Sequence, residues 1–497
     1  MTELLILTID QGTTSSRALV VDGKGRNRGA GQHPFPQFFP QPGWVEHDPA
    51  TIWESTLAAI ADAIRAASIT SRDLAAIGIT NQRETVVAWD RQTGEPLANA
   101  IVWQDRRTAP LCDEFRAAGR EARIAATTGL TLDPYFSATK LAWMAHNRPA
   151  YAEAAGAGRL AVGTVDSWLV WKLTGGRKHV TDLTNASRTM LFDINRTRWD
   201  PDLCGLFAVP ESALAEVLPS RSPFGTTSVD VLGAEIPILA IAGDQQAALF
   251  GQACARPGQA KNTYGTGCFL LAEAGRAPTR STTRLLTSLG AACELGAPAV
   301  VREGSVFVAG SLVQWLRDEL RLFGRSGEIE ALAASVPDSG GVTIVPAFTG
   351  LGAPYWDADA RGAILGLTRG TTPAHIARAA LEAIALSSAE LVEAMNADLP
   401  VPIRELRVDG GAAANNLLMQ MQADLSGVPV LRPTETETTA LGAAYLAGLE
   451  VGIWASPEEV ASLWRLDRRF EPRIAASERA AKLTEWREAV SRVLTPI

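Results

Sequence analysis

The stretch LTIDQGTTSSR, residues 7–17, decides how the chain begins to fold. Apolar runs at residues 4–9 and 17–22 flank this polar segment, and the pattern predicts two strands joined by a turn. The turn contains one glycine, Gly12, followed by four hydroxyl residues. So many small polar groups at the end of an apolar strand raise the question of what the turn holds.

The turn has the chemistry of a phosphate site. Gly12 lets the backbone approach an anion, Arg17 adds a charge-assisted contact, and further donors come from Thr13, Thr14 and Ser15. Asp10 cannot bind phosphate directly, but its carboxylate can hold a hydrated Mg²⁺. The turn matches neither GxxxxGK[ST] nor GxGxxG. Taken alone, it is equally consistent with a hairpin that binds no ligand.

Length and composition limit the class of protein. The chain has 497 residues, too many for one core, so two domains of roughly 200 to 250 residues are expected. A net charge of −8 argues against a nucleic-acid-binding protein. No apolar run approaches the ~20 residues of a membrane span, and the first residues do not resemble a signal peptide. We expect a cytoplasmic protein without membrane insertion.

The cysteines indicate no covalent framework. They are five, scattered along the chain and without a CxxC pair. This spacing favours neither disulfides nor a zinc site. Reduced and mostly buried thiols are therefore expected at Cys112, Cys204, Cys254, Cys268 and Cys293.

The strand and turn pattern starts again in the second half of the chain. Residues 258–273 read as a new hairpin, whose turn offers Gly265, Thr266 and Gly267. Residues 405–427 read as a strand, a turn containing Gly410 and Gly411, and a helix that this glycine pair opens. Three such turns at strand ends predict two similar α/β halves, meeting near residues 250–257, with a nucleotide between them.

Two further positions carry chemistry. Asp244 follows an apolar strand, where open α/β sheets place their active sites; a helix N-cap is also a common role for such an Asp, and the two roles are compatible. Arg83 and Glu84 lie in a turn between two predicted strands and offer paired donors and acceptors to a polar substrate. On the local pattern alone, a surface hairpin with an ion pair is favoured for them.

Several motifs together resemble a known family. The three turns, in this order, resemble the phosphate and adenosine motifs of the sugar kinase, actin and heat-shock-protein ATPase superfamily. YFSATKLAWM (135–144) and GLTRGTTPAHIARAALEAIAL (366–386) are similar to the two patterns of the FGGY carbohydrate kinases. Four further segments resemble the branch of that family that phosphorylates glycerol: TNQRET (80–85), NAIVWQDRRT (99–108), AGDQQAALFGQ (242–252) and NTYGTGCF (262–269).

The resemblance covers residues 4–450 and implies a fold. This is the actin-like ATPase fold, with two ribonuclease-H-like α/β domains and a nucleotide- and substrate-binding cleft between them. Residues 1–252 would form the N-terminal domain, on the glycerol and phosphate side. Residues 253–497 would form the C-terminal domain, on the adenosine side.

The resemblance also implies a reaction, in which ATP and glycerol give ADP and sn-glycerol 3-phosphate. It further implies Mg²⁺ as the cofactor and a homodimer or homotetramer as the assembly. Glycerol would be bound by Arg83, Glu84, Trp103, Tyr135, Asp244, Gln245 and Phe269. The nucleotide and its phosphates would be bound by Thr13, Thr14, Ser15, Arg17, Thr266, Gly310, Gln314, Gly411 and Asn415. Asp10 and Asp244 would be the catalytic and metal-binding carboxylates.

One loop departs from the family. Some bacterial relatives bind fructose 1,6-bisphosphate at a Gly-Gly-Thr-Arg loop, where this chain has Ala234 and Glu235. Because Glu235 would repel a bisphosphate, we expect this inhibition to be weak or absent.

A kinase for a pentulose or gluconate is the nearest alternative function, and a partner-binding ATPase of the actin or chaperone type is a more distant one.

Overall fold

Two large mixed sheets organise the chain in the computed structural model, which describes residues 4–291 and 299–496. The first sheet has six strands, in the spatial order Arg221–Thr226, Pro237–Gly243, Leu74–Asn81, Leu5–Gln11, Ser15–Val21 and Asn27–Pro34. The second has seven strands, in the order Leu286–Leu289, Val300–Val306, Cys268–Gly275, Ala260–Tyr264, Leu406–Asp409, Val430–Pro433 and Leu466–Phe470.

Smaller sheets complete the strand structure of the described residues. A four-stranded sheet has the order Glu46–His47, Ala100–Ile101, Val86–Asp90 and Leu160–Thr164. Three strand pairs are Phe192–Asp193 with Arg198–Trp199, Val180–Asp182 with Glu216–Leu218, and Thr343–Val345 with Ala363–Leu365. The two strands on either side of Arg83 and Glu84 therefore enter different sheets.

Helices cover both large sheets. They are Pro49–Ala67, Ala109–Ala117, Glu121–Thr128, Ser137–Asn147, Pro149–Gly156, Val165–Leu173, Leu183–Ala186, Pro201–Leu206, Val229–Leu232, Asp244–Gly251, Gly310–Asp318, Glu328–Ala334, Pro373–Asp398, Asn416–Ser426, Thr438–Glu450, Pro457–Ala461 and Ala476–Ser491. Short 3-10 helices are Ser71–Asp73, Glu211–Ala213 and Gly411–Ala414.

The predicted repetition of the two halves is observed in strand pairing. Leu5–Gln11 runs antiparallel to Ser15–Val21 and parallel to Leu74–Asn81. In the second half, Ala260–Tyr264 runs antiparallel to Cys268–Gly275 and parallel to Leu406–Asp409. Because parallel strands end at the same edge of a sheet, each half gathers its turns at one edge.

A polar cap fixes the start of the helix after the first hairpin. The Asp48 side chain accepts a hydrogen bond from the backbone N–H of Ala50, and Pro49 occupies the first turn. Opposite this helix, strand Asn27–Pro34 carries Gly29 and Gly31, where a Cβ would overlap the helix backbone. The helix therefore lies close against the sheet because these two positions lack side chains.

The glycine pair of the third turn does not open the helix directly, contrary to the sequence prediction. Gly410 follows the last strand residue, Asp409, with a φ of 83°, and the 3-10 helix Gly411–Ala414 comes next. The α-helix Asn416–Ser426 begins after Asn415, whose side chain accepts a hydrogen bond from the N–H of Leu418 at 2.9 Å. A polar cap rather than the glycine pair therefore fixes the start of this helix.

The thiols of Cys112, Cys204, Cys254 and Cys268 are free and buried, as expected, and Cys293 lies outside the described residues. Across residues 4–291 and 299–496, no helix is long and apolar enough to span a membrane.

Candidate active site

A small cavity lies between the two halves of the molecule. It has a volume of about 150 Å³ and is lined by Thr13, Arg83, Glu84, Trp103, Tyr135, Asp244, Gln245, Thr263, Gly265, Thr266 and Phe269. All seven residues predicted to bind glycerol are in this lining. The two halves of the chain both contribute, because Thr266 and Phe269 lie in the turn and second strand of the second hairpin while Arg83 and Trp103 belong to the first domain.

Three aromatic rings form one wall of this cavity. The ring of Trp103 meets Tyr135 edge-on at 5.8 Å and Phe269 edge-on at 6.0 Å, measured between centroids. The indole N–H of Trp103 donates to the hydroxyl of Thr13 at 2.9 Å. Edge-to-face packing and this hydrogen bond hold the rings in place. They present an apolar surface suited to the carbon edge of a small polyol.

The surface hairpin favoured for Arg83 and Glu84 is wrong. These residues are 3% and 1% exposed, respectively, and their shortest charge contacts are with other residues, while Nε of Arg83 lies 4.0 Å from Oε1 of Glu84. The Nη1 and Nη2 atoms of Arg83 donate to the carboxylate of Glu303 at 2.6 and 2.9 Å. Glu84 accepts from Nε of Arg188 at 2.6 Å. Both domains therefore contribute to burying this turn, since Glu303 belongs to the second domain and Arg188 to the first.

The backbone at Glu84 is strained. Its φ is 61°, in the left-handed region that costs a residue with a side chain roughly 1–2 kcal/mol. Lys140 supports this conformation, since its Nζ donates to the carbonyl oxygens of Glu84 at 3.2 Å and Tyr135 at 2.5 Å. Strained backbone held by its surroundings is typical of functional sites.

Asp244 lies at the carboxyl end of strand Pro237–Gly243 and is the first residue of the following helix. The N-cap position is Gly243, so the N-cap alternative for Asp244 is wrong by one residue. The Oδ1 atom of Asp244 lies 3.1 Å from Nε of Arg83 and accepts from the N–H of Gln245 at 2.7 Å. Its side chain is 29% exposed, which leaves it accessible to a ligand.

The first turn places a second carboxylate near Asp244. Burial, then the negative charges of Asp244 and Glu437, raise the pKa of Asp10 to about 7. Arg17, at the other end of the turn, forms an ion pair with Glu437. A carboxylate whose pKa is raised by the charge of a neighbouring carboxylate belongs to a site that favours a cation.

The hydroxyl residues of the first turn have different surroundings. Thr13 lines the small cavity, whereas Thr14 accepts at its carbonyl oxygen from Phe35 and Ser15 accepts at its hydroxyl from Gln32. Ser16, to which no ligand role was given, is buried and hydrogen-bonded to Ser55 at 2.9 Å. Four predicted residues of the turn line neither of the two candidate ligand cavities: Asp10, Thr14, Ser15 and Arg17.

A larger cavity adjoins the small one. Its volume is about 540 Å³, within the range of cofactor sites, and it shares Gly265 and Thr266 with the small cavity. The five residues predicted on the adenosine side all line it: Thr266, Gly310, Gln314, Gly411 and Asn415. The N–H of Gly310 donates to the carbonyl oxygen of Gly265 at 3.0 Å, and a Cβ at position 310 would lie only 2.5 Å from that oxygen.

Sequence reasoning missed four buried charged residues next to the small cavity. Lys140 and Arg188 support Glu84, Glu303 holds Arg83, and Lys261 donates from Nζ to the side-chain oxygen of Gln245 at 2.5 Å. Burial alone would raise the pKa of Glu303, but the guanidinium groups of Arg188 and Arg83 lower it to about 2. For Lys261 and Glu303 the available signal was a charged residue inside a strand, since charges are rarely buried without a partner.

Comparisons with known proteins agree with this geometry. Residues 5–251 match the N-terminal domain of the FGGY family of carbohydrate kinases, and residues 260–451 match its C-terminal domain. The chain belongs to the FGGY family of carbohydrate kinases.

The similarity extends to individual members of the family. A glycerol kinase from Aromatoleum aromaticum is 61% identical over 487 residues, covering 98% of each chain. Glycerol kinase 2 from Thermotoga maritima is 55% identical over 489 residues, again covering 98% of each chain.

Solved structures of carbohydrate kinases also resemble this chain. The crystal structure of Plasmodium falciparum glycerol kinase with ADP superimposes with a TM-score of 0.89, at 38% identity, covering 100% of this chain and 99% of that one. A gluconate kinase from Lactobacillus acidophilus superimposes with a TM-score of 0.86 at 21% identity, covering 99% and 97%, and shares the fold. The predicted two-domain actin-like ATPase fold is confirmed.

Proposed function

We infer that the protein transfers the terminal phosphoryl group of ATP to glycerol, giving ADP and sn-glycerol 3-phosphate. The observation that carries this function is the small cavity of about 150 Å³ that adjoins a nucleotide-sized cavity. Its polar side and its aromatic wall match the hydroxyls and the carbon edge of a three-carbon polyol. The high identity to glycerol kinases over nearly the full chain supports the same substrate.

We propose roles for the polar lining of the cavity. Arg83 and Gln245 donate hydrogen bonds to glycerol hydroxyls, and Glu84 accepts one. Tyr135 adds a phenolic hydroxyl, while Trp103 and Phe269 pack against the carbons. Together these contacts orient one primary hydroxyl toward the adjoining nucleotide cavity.

Asp244 is the proposed catalytic carboxylate. It accepts the hydrogen bond of the attacking hydroxyl and takes its proton as the new bond to phosphorus forms. A carboxylate is a weak base toward an alcohol, so its main contribution is to orient the nucleophile. Phosphoryl transfer depends mostly on positioning and charge stabilisation, which this arrangement provides.

Mg²⁺ fits the donor set at Asp10 and Asp244. Hard carboxylate oxygens are the ligands it prefers, and the mutual repulsion that raises the pKa of Asp10 would be relieved by a cation. When bound, Mg²⁺ would neutralise phosphate charge. Donors for the phosphates are proposed from Thr13, Thr14, Ser15 and Arg17, and for the nucleotide from Thr266, Gly310, Gln314, Gly411 and Asn415.

We also propose that the protein acts in the cytoplasm as a homodimer or homotetramer, as the family resemblance implies. Size-exclusion chromatography with light scattering measures the assembly directly. A mass equal to one chain across the micromolar range would contradict this proposal.

The function is tested by a coupled assay that detects ADP. Glycerol, dihydroxyacetone, xylulose and gluconate are compared as acceptors with MgATP, and a reaction without acceptor measures ATP hydrolysis. The expected result is the highest kcat/KM with glycerol and slow hydrolysis without acceptor. Higher kcat/KM with xylulose or gluconate would favour another carbohydrate kinase, and rapid acceptor-independent hydrolysis would favour a partner-binding ATPase.

A further inference from the structure

A buried cluster of charges lies behind the small cavity. Its members are Arg83, Glu84, Arg188 and Glu303, each no more than 3% exposed. Arg83 and Glu84 line the cavity, whereas Glu303 and Arg188 do not. The second pair therefore reaches a ligand in the cavity only through the first pair.

Glu303 is the member of this cluster that comes from the second domain. It lies on strand Val300–Val306 of the seven-stranded sheet, while Arg83 and Arg188 belong to the first domain. Its two carboxylate oxygens accept from Nη1 and Nη2 of Arg83 at 2.6 and 2.9 Å. One of them also accepts from Nη2 of Arg188 at 3.2 Å. Paired contacts of this kind fix the plane of a guanidinium.

These contacts use most of the hydrogen-bonding capacity of Arg83. A guanidinium has five N–H groups. Three donate within the described residues, two to Glu303 and one to the side-chain oxygen of Gln246 at 3.2 Å, and Nε lies 3.1 Å from Asp244. Within the same part of the chain, the second Nη2–H has no acceptor, although Arg83 lines the cavity.

We propose that Glu303 is a positioning residue for glycerol: from the second domain it orients Arg83 so that one Nη2–H is directed to a glycerol hydroxyl. The inference rests on the proposed function and adds a link between domain arrangement and acceptor binding. Gln246 and Asp244 hold Arg83 from the first domain, but the paired contact that fixes its guanidinium plane exists only while the second domain presents Glu303 to it. Movement of the second domain away from the first therefore releases the group that recognises the acceptor.

The test uses Glu303→Gln, which keeps the shape of the side chain and removes its charge. The KM for glycerol should rise by about tenfold or more, as expected for the loss of a charge-assisted contact that orients a ligand-binding donor. The KM for ATP should stay unchanged, because the nucleotide cavity does not contain Arg83. Glu303→Asp keeps the charge and should recover part of the glycerol affinity.

Glu390→Gln is the matched control. Glu390 is a buried carboxylate of the second domain that accepts from Arg487 at 3.1 Å, outside both cavities. Its substitution should change thermal stability without changing either KM. If Glu303→Gln does not fold, Glu303→Asp carries the test, and a selective rise of its KM for glycerol is expected.

An unchanged KM for glycerol in the folded Glu303 variants would overturn the inference. A parallel rise of both KM values, or a loss of stability alone, would also overturn it, because either result describes a merely structural residue. A wild-type protein that does not phosphorylate glycerol would instead contradict the proposed function. The two failures are therefore distinguishable in one series of assays.

Discussion

Asp244 combines a defined position with an accessible carboxylate. It begins helix Asp244–Gly251 at the end of a buried strand, and its ion-pair partner, Arg83, is also held by Glu303. Loss of the Asp244 charge would leave Arg83 with that second partner. A substitution at Asp244 should therefore change catalysis without a large change in the free energy of unfolding.

Asp244→Asn should lower kcat for glycerol by about 10²–10⁴, the usual contribution of a positioned proton acceptor. Thermal unfolding should remain close to that of the wild type, because Arg83 keeps its contact with Glu303. Asp230→Asn, at an exposed Asp in the first turn of helix Val229–Leu232, is the control and should keep full activity. Near-normal turnover by Asp244→Asn would remove this residue from the mechanism.

Asp10 illustrates the energetic cost of the site. Its pKa is raised from 3.8 to about 7 in the folded protein, so between these values the folded form keeps a proton that the unfolded form has released. The contribution of this group to the free energy of unfolding therefore falls as the pH rises from about 4 to 7 and is lowest above pH 7. Asp10 is half-buried, so solvent screens part of its contribution to the free energy of unfolding.

Without Mg²⁺, Asp10→Asn should raise the free energy of unfolding at pH 8 by about 1–3 kcal/mol, since one pKa unit corresponds to ~1.4 kcal/mol. At pH 4.5 the gain should be much smaller, because wild-type Asp10 is then protonated. The variant should also lose activity. Chemical denaturation in EDTA at both pH values measures the difference, and an equal effect at both would show that the charge of Asp10 is not its cause.

Two helices meet at glycines beneath the active site. Helix Asp244–Gly251 contacts helix Thr438–Glu450, and a Cβ at Gly442 would overlap the carbonyl oxygen of Ala247. A Cβ at Gly251 would overlap the carbonyl oxygen of Thr438 in the same way. The backbones are in contact, so the position of Asp244 depends on this crossing.

Gly442→Ala should destabilise the protein by about 1–3 kcal/mol, the usual effect of adding a methyl group to a filled contact. Activity should also fall, because the displaced helix carries Asp244. Gly205→Ala is the matched control: Gly205 is also helical, and a Cβ there would have no neighbour within 4 Å. Equal stability of the two variants, measured by thermal unfolding, would contradict the proposed role of the crossing.

The sequence was most informative where local chemistry defines an element. Thr372 followed by Pro373 is a pattern typical of a helix start, and helix Pro373–Asp398 begins there; the first two Gly and hydroxyl turns correctly predicted hairpins. Helix Thr438–Glu450 is different, because it is apolar on all sides and nothing in its pattern says which sheet it covers. Glu303 was missed for a related reason: its partners lie 220 and 115 residues away in the chain.

At the scale of the whole molecule, the small cavity connects the two family domains. The small cavity is lined by residues of both family domains, so a bound acceptor contacts both of them. The division into residues 1–252 and 253–497 remains a prediction. Helix Thr438–Glu450, late in the chain, packs against helix Asp244–Gly251 of the first domain and adds a further connection.

Glycerol should therefore stabilise the folded protein as a specific ligand. At 100 times its dissociation constant the free energy of unfolding should rise by about 2.7 kcal/mol. Arg83→Ala should abolish this gain at the same concentration. A gain that persists in Arg83→Ala would indicate a general osmolyte effect of glycerol instead of binding in the cavity.

The shared lining of the small cavity also has a consequence for how the product leaves. The walls that hold the acceptor belong to two bodies of the protein, and we expect the product to leave only after these bodies have moved apart. Their separation displaces solvent, so friction with the surrounding water would slow it. The maximum turnover rate would then be limited by the viscosity of the medium rather than by the rate of phosphoryl transfer.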